Sequence, residues 1–135
     1  MPELPEVETV RKGLNNLLNG FSIQKLEVNN KRVIASDGGS EKFIQMLRGS
    51  SVGMWNRRGK YLFASLSRKK GLDAKGDITF TDTGWWGVHL RMTGQFQWLK
   101  TPKDPCKHTR VRLWNTEGEE LRFIDTRNFG QMWWV

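Results

Sequence analysis

The chain opens "MPELPEVETV", and its second residue holds the most chemistry. If Met1 is removed, Pro2 carries a free secondary amine, with Glu3 beside it and Glu6 close by. An α-amine has a reference pKa near 8 against about 10.4 for lysine, so far more of it is neutral at pH 7. The positive pole of a following helix depresses it further. A neutral secondary amine condenses with an aldehyde-level carbon to give an iminium directly, which withdraws electrons and eases breakage of neighbouring C–H bonds. That reaction needs proton donors and acceptors, which Glu3 and Glu6 can supply. The plainer reading is helix-start grammar, because Pro and Glu are ordinary there. The decapeptide alone leaves both readings standing. A retained Met1 would acylate Pro2 and abolish its nucleophilicity.

Three further stretches carry reactive or ligand-binding types. In "RRGKYLF" Lys60 follows a tight turn and opens a strand, so its ammonium can face a phosphate from a sheet rim, or simply sit in a solvated basic turn. "HLRMTG" places His89 and Met92 at a strand end running into a Gly turn. A Met exposed there can wedge between bases, whereas a dull reading makes it core. In "IDTRNFG" Arg127 and Phe129 alternate on a Gly-terminated turn, a cation and an aromatic suited to stacking and insertion into nucleic acid.

The composition agrees with a polyanionic partner. Net charge is +8 and the pI about 10.0, which favours nucleic acid ahead of a membrane surface. Seven Trp against one Tyr is the compositional outlier. No apolar run approaches a membrane span and no secretory signal pattern opens the chain, so no membrane partner is expected. The single cysteine, Cys106, excludes an internal disulfide and a multi-cysteine zinc site within this segment, and fits a reducing, cytosolic setting.

These residues need elements to position them. Val7, Val10, Leu14, Leu17 and Leu18 form one helical stripe, predicting a helix from Pro5 to Asn19 with acids at its positive end and Gly20 as its stop. "FSIQKLEVNN" alternates as a strand. "SEKFIQMLRG" reads as a short helix with Ser40 as cap and Gly49 as stop. Strands are expected at 51–57, 60–66, 77–81, 87–90, 94–99, 110–114 and 120–124, separated by turns that include "DTGWWG", with 68–77 an exposed loop. The fold class that follows is mainly β with flanking α. It is a two-sheet β-sandwich of about eight strands with an N-terminal helix and a second short helix. The apolar ending "GQMWWV" is expected to lie near a domain boundary and to be exposed and prone to non-specific association.

Taken together and in this order, "MPELPEVET", "RRGKYL", "HLRMTG" and "DTRNFG" closely resemble formamidopyrimidine-DNA glycosylases of the Fpg/Nei family, enzymes of base excision repair. The resemblance spans all 135 residues but only the family's N-terminal domain, with the helix–two-turn–helix and zinc-finger half absent. It implies a bifunctional glycosylase and AP lyase acting on oxidised purines such as formamidopyrimidines and 8-oxoguanine in damaged double-stranded DNA. It makes Pro2 the nucleophile that forms a Schiff base at C1′, Glu3 a general acid/base at the sugar, and Glu6 a residue that helps hold the site. Lys60, counted with the catalytic set, and His89 would bind phosphates around the lesion. Met92, Arg127 and Phe129 would fill the space of the flipped-out nucleotide. His108, in "CKHTR", matches a family histidine near the DNA. Where many members have a second Arg after the first, this chain has Asn128, which removes a charge from the DNA backbone contact. No cofactor is expected in this segment, and a structural zinc only in the absent C-terminal part. A monomer, cytoplasmic and DNA-associated in a bacterial-type cell, is expected. Two rivals remain: a DNA-binding fragment without turnover, and an N-terminal-proline tautomerase in which Pro2 is a base.

Overall fold

The computed structural model describes residues 4–135. Among them, two helices flank two four-stranded antiparallel sheets. Helix α1 spans Leu4–Leu18 and α2 spans Gly39–Leu47, with a single 3-10 turn at Lys31–Val33 between them. The strands are β1 (Lys25–Val28), β2 (Ser51–Arg58), β3 (Tyr61–Leu72), β4 (Ile78–His89), β5 (Gly94–Leu99), β6 (Thr109–Trp114), β7 (Glu120–Asp125) and β8 (Gln131–Trp134). One sheet has the order β1-β6-β7-β5 and the other β2-β3-β4-β8. The β-sandwich read from the sequence is the observed fold class.

Aromatic side chains from both sheets meet in the core. Trp55 and Trp86 are fully buried and pack edge to face at 4.8 Å, with Phe96 of the opposite sheet 6.4 Å from each ring. Phe96 in turn lies 5.3 Å from Phe123. Offset and edge-on rings of this kind add about 0.5–1.5 kcal/mol per pair beyond their burial. Helix α1 buries Val7, Leu14 and Leu18 of its predicted stripe, while Leu17 stays exposed.

A second, polar edge of α1 closes the sandwich. Strand β2 is an outer strand of its sheet, and an uncovered edge leaves backbone groups without partners. The Asn15 carboxamide takes the place of a neighbouring strand: its Oδ1 accepts from Trp55 N–H at 2.6 Å and its Nδ2 donates to Trp55 C=O at 3.1 Å.

Four local expectations need correction. Helix α2 starts at Gly39 with Gly38, in a left-handed conformation, at the cap position, so Ser40 does not cap it. The polar stretch 68–77 is not a loop throughout. Strand β3 runs to Leu72, and the turn beyond it is closed by Asp73 Oδ1, which accepts from Lys75 N–H and Asp77 N–H. "DTGWWG" is strand, not turn, and joins the two expected strands into β4. Its glycine marks a bulge: Gly84 has φ +113°, the β3–β4 register shifts there, and a Cβ would stand 2.4 Å from Val135 O. Finally, "QMWW" is not a loose end. It is β8, with Met132 fully buried, Trp133 and Trp134 half-buried, and Trp134 Nε1 donating to Thr83 O at 2.8 Å.

Candidate nucleic-acid interface

Strand register gathers the first group of functional side chains at one rim. Tyr61 stands opposite His89 on β3 and β4, and His89 opposite Gln131 on β8. Lys60 is half-buried in the turn just ahead of Tyr61. His89 is only 6 % exposed, lies edge-on to the Tyr61 ring at 4.6 Å, and accepts the Arg91 N–H on Nδ1 at 3.0 Å. With Nδ1 accepting, the neutral ring carries its proton on Nε2. Burial, then the Arg91 and Lys60 charges, push its pKa below the ordinary histidine value. His89 therefore offers a neutral N–H to a ligand at pH 7, while Lys60 offers a charge.

Two loops form the second group, and each uses the same backbone device. Arg91 and Asn128 have φ of 56° and 58°, a left-handed conformation costing non-glycine residues about 1–3 kcal/mol. Each immediately precedes an exposed apolar side chain: Met92 is 44 % exposed and Phe129 51 %. The two αL residues thus lead directly into the exposed apolar side chain of each loop.

One buried carboxylate ties these loops together. Asp125, fully buried at the end of β7, accepts from the Thr93 hydroxyl and from Arg127 N–H at 3.2 Å on Oδ1, and from Gly130 N–H at 2.6 Å on Oδ2. Its donors are neutral, so the nearby guanidiniums are not consumed in pairing it. Arg127 Nη1 lies 3.7 Å from Met92 Sδ, and Arg91 Nη2 donates to Gln131 Oε1. Arg91, Met92, Phe129 and Gln131 line an open depression of about 390 Å³. Met92 also lines a second cleft of about 360 Å³, shared with Glu6 and Val10 of α1 and with Thr93.

The structure thus brings Glu6, Met92, Arg127 and Phe129 to neighbouring surfaces. Lys60 and His89 occupy the adjoining sheet rim, outside the linings of both depressions. His108 is half-buried at the foot of the second loop, where its carbonyl accepts from Asp125 N–H at 3.0 Å. Pro2 and Glu3 lie outside the described residues. Asn128 is suited to its αL backbone, and its Oδ1 is buried without a hydrogen-bond partner among the described residues, so this side chain turns inward. Among the described residues, no group of three or more His, Cys, Asp or Glu is placed to hold a metal ion. No helix among them is long and apolar enough to cross a membrane.

Sequence reasoning passed over Asp125, although it opens the quoted "DTRNFG", and over Arg91 and Gln131. It also read Glu8 only as a partner for the helix dipole. The structure pairs Glu8 with Arg11 at 2.7 Å and with Arg57 at 3.1 Å.

Comparison with known proteins gives the family. Residues 1–132 match the formamidopyrimidine-DNA glycosylase N-terminal domain. The chain belongs to that family. It is 61 % identical over 135 residues to the formamidopyrimidine-DNA glycosylase of Prochlorococcus marinus strain MIT 9313, covering 100 % of this chain and 46 % of that protein. The formamidopyrimidine-DNA glycosylase of Parasynechococcus marenigrum strain WH8102 is 56 % identical, with 100 % and 44 % covered. Among solved structures, Lactococcus lactis Fpg in complex with abasic-site-containing DNA superimposes with a TM-score of 0.82 at 27 % identity, over 99 % of this chain and 44 % of that one. The chain therefore spans a little under half the length of the formamidopyrimidine-DNA glycosylases it matches.

Proposed function

We propose that this chain is the catalytic N-terminal part of a DNA glycosylase and AP lyase that removes oxidised purines, formamidopyrimidines and 8-oxoguanine, in base excision repair. The observation that carries the reading is the paired αL presentation of Met92 and Phe129 beside Arg127, next to a cleft that holds Glu6. Exposed apolar wedges beside a cation suit a duplex from which one nucleotide has been displaced.

In this reading the processed Pro2 amine attacks C1′ of the damaged nucleoside. The C1′–N bond breaks, and the base leaves with a proton. Glu3 then protonates the sugar ring oxygen as the ring opens, leaving an iminium between Pro2 and C1′. The iminium acidifies the C2′ proton, and its loss expels the 3′ phosphate. Glu6, which borders the cleft shared with Met92, helps hold the site. Lys60 holds a flanking phosphate by charge and His89 holds one through Nε2–H, while His108 lies close to the DNA strand. The protein works as a monomer on DNA in the cytoplasm.

Base flipping costs a few kcal/mol, recovered from contacts along the duplex. Tested by itself, a stretch under half the length of its relatives supplies part of those contacts, whereas an abasic aldehyde asks less of the Pro2 amine than an intact lesion does. Strand cleavage at an abasic site is thus expected to exceed excision of a formamidopyrimidine, measured on matched duplexes. The rival DNA-binding fragment would bind both duplexes and cleave neither. Excision as fast as that of a full-length relative would contradict the shared-contact argument.

A further inference from the structure

Glu8, Arg11 and Asn15 recur at helical spacing along one edge of α1, and all three reach β2 or its turn. Asn15 fixes Trp55 through both backbone groups, and Arg11 Nη1 reaches Trp55 O at 3.5 Å. Glu8, nearest the helix start, accepts from Arg11 Nε at 2.8 Å and from Arg57 Nε at 3.1 Å. Arg57 Nη1 then donates to Gly59 O at 3.1 Å, inside the turn that ends at Lys60. A continuous side-chain path thus runs from the first turns of α1 to the residue before Lys60.

Two peptide units separate residue 2 from Leu4, a reach of at most about 7 Å. Whatever fixes the first turn of α1 therefore limits where an amine at residue 2 can act. We propose that Glu8 and Arg57 are a positioning pair that fixes how α1 starts beside the turn carrying Lys60, and so controls the chemical step of the N-terminal amine more than DNA affinity. This rests on the glycosylase reading above. Misplacing a reacting group by about 1 Å can slow a reaction on the order of a hundredfold, so a surface pair can matter here far beyond its contribution to stability. Hydrogen bonds from Arg11 and then Arg57 pull the Glu8 carboxyl down to about 2, so Glu8 is ionised at neutral pH.

The test uses four proteins: the parent, E8Q, R57Q and the double variant E8Q/R57Q. Two readouts are taken, single-turnover borohydride trapping on an abasic duplex at saturating DNA, and amide exchange at Thr9 and Val10 without DNA. Each single variant is expected to trap at least tenfold more slowly, with the dissociation constant for the same duplex within twofold of the parent. Both are expected to exchange faster at Thr9 and Val10, and R57Q to add little once E8Q is in place, because the two side chains act as one contact. Equal exchange in all four proteins overturns the positioning pair, whatever the trapping shows. So does a loss of affinity that parallels the loss of rate, or a double variant whose loss is the product of the two single losses. A parent that fails to trap while its exchange follows the expected pattern would instead sink the glycosylase reading and leave the clamp in place.

Discussion

The two ends of β7 are both buried acids, and they are used in opposite ways. At the start, Glu120 is held by two guanidiniums, from Arg112 at 2.9 Å and from the almost fully buried Arg122. Arg122 also donates to the carbonyls of Lys103 and Asp104, so its capacity is spent on anchoring a loop. At the far end, Asp125 is satisfied by a hydroxyl and two backbone N–H groups, and the Arg127 guanidinium beside it touches only Met92 Sδ among the described partners. The same residue class on one strand builds a closed ionic cluster at one end and an open, cation-bearing rim at the other. Only the second can still bind an anion.

The largest expected effect breaks the closed end. Glu120→Gln should cost about 3–5 kcal/mol in stability, because it strands a buried guanidinium, and should leave DNA affinity of the folded protein unchanged. Asp125→Asn should cost less, about 1–3 kcal/mol, yet weaken binding to abasic duplex, since it unties both loops. Chemical denaturation and DNA titration of the two variants check the contrast, and an equal DNA defect in both would erase it. The closed end also titrates. Burial alone would raise the Glu120 carboxyl, but hydrogen bonds from Arg112 and Arg122 outweigh burial and hold it below the ordinary carboxylate range. Its stabilising contribution is therefore complete above the unfolded carboxylate pKa, near 4.5, and is lost as pH falls below that through the folded value.

A smaller effect sharpens the open end. Buried apolar side chains cost about 2–5 kcal/mol each on truncation, but exposed Met92 and Phe129 together should cost under about 1 kcal/mol. Met92→Ala with Phe129→Ala should still weaken binding to abasic duplex about tenfold or more. A large fall in melting temperature would place them in the core after all.

The smallest effect separates two neighbours on the sheet rim. Lys60→Ala should reduce the slope of log K against log salt by about 0.9, the signature of one lost phosphate charge. His89→Gln should weaken binding at pH 7.5 without changing that slope, because burial keeps the ring neutral. Equal slope changes would mean that DNA protonates His89.

How much of this was legible follows from where each interaction lies along the chain. Helix α1 and the strands β5, β6 and β7 came through because periodicity and turn residues are local signals. Met92 and Phe129 were placed at exposed turns because Gly94 and Gly130 follow closely in the sequence. Strand β8 was not legible: the exposure expected of Trp133 and Trp134 depends on whether β4 pairs with them, some 50 residues earlier. Gly84 looked like a turn because a bulge and a turn share glycine, and only the approach of Val135 tells them apart. Asp125 and Glu8 each have near partners, Arg127 and Gly130 for the one and Arg11 for the other, but the contacts that tie separate elements together reach Thr93 and Arg57, 32 and 49 residues away. The αL backbones of Arg91 and Asn128 leave no compositional mark at Arg91 and only a weak one at Asn128.

The central claim, that an N-terminal proline amine is the nucleophile, is tested most directly by trapping. The protein is prepared with Met1 removed and with Met1 retained, both verified by intact mass, and incubated with abasic duplex and borohydride. The adduct is then mapped by peptide mass. The expected result is a covalent adduct on the N-terminal peptide of the processed protein and none on the Met1-retaining one. An equal adduct from both, or an adduct mapped to a lysine such as Lys60, would contradict it.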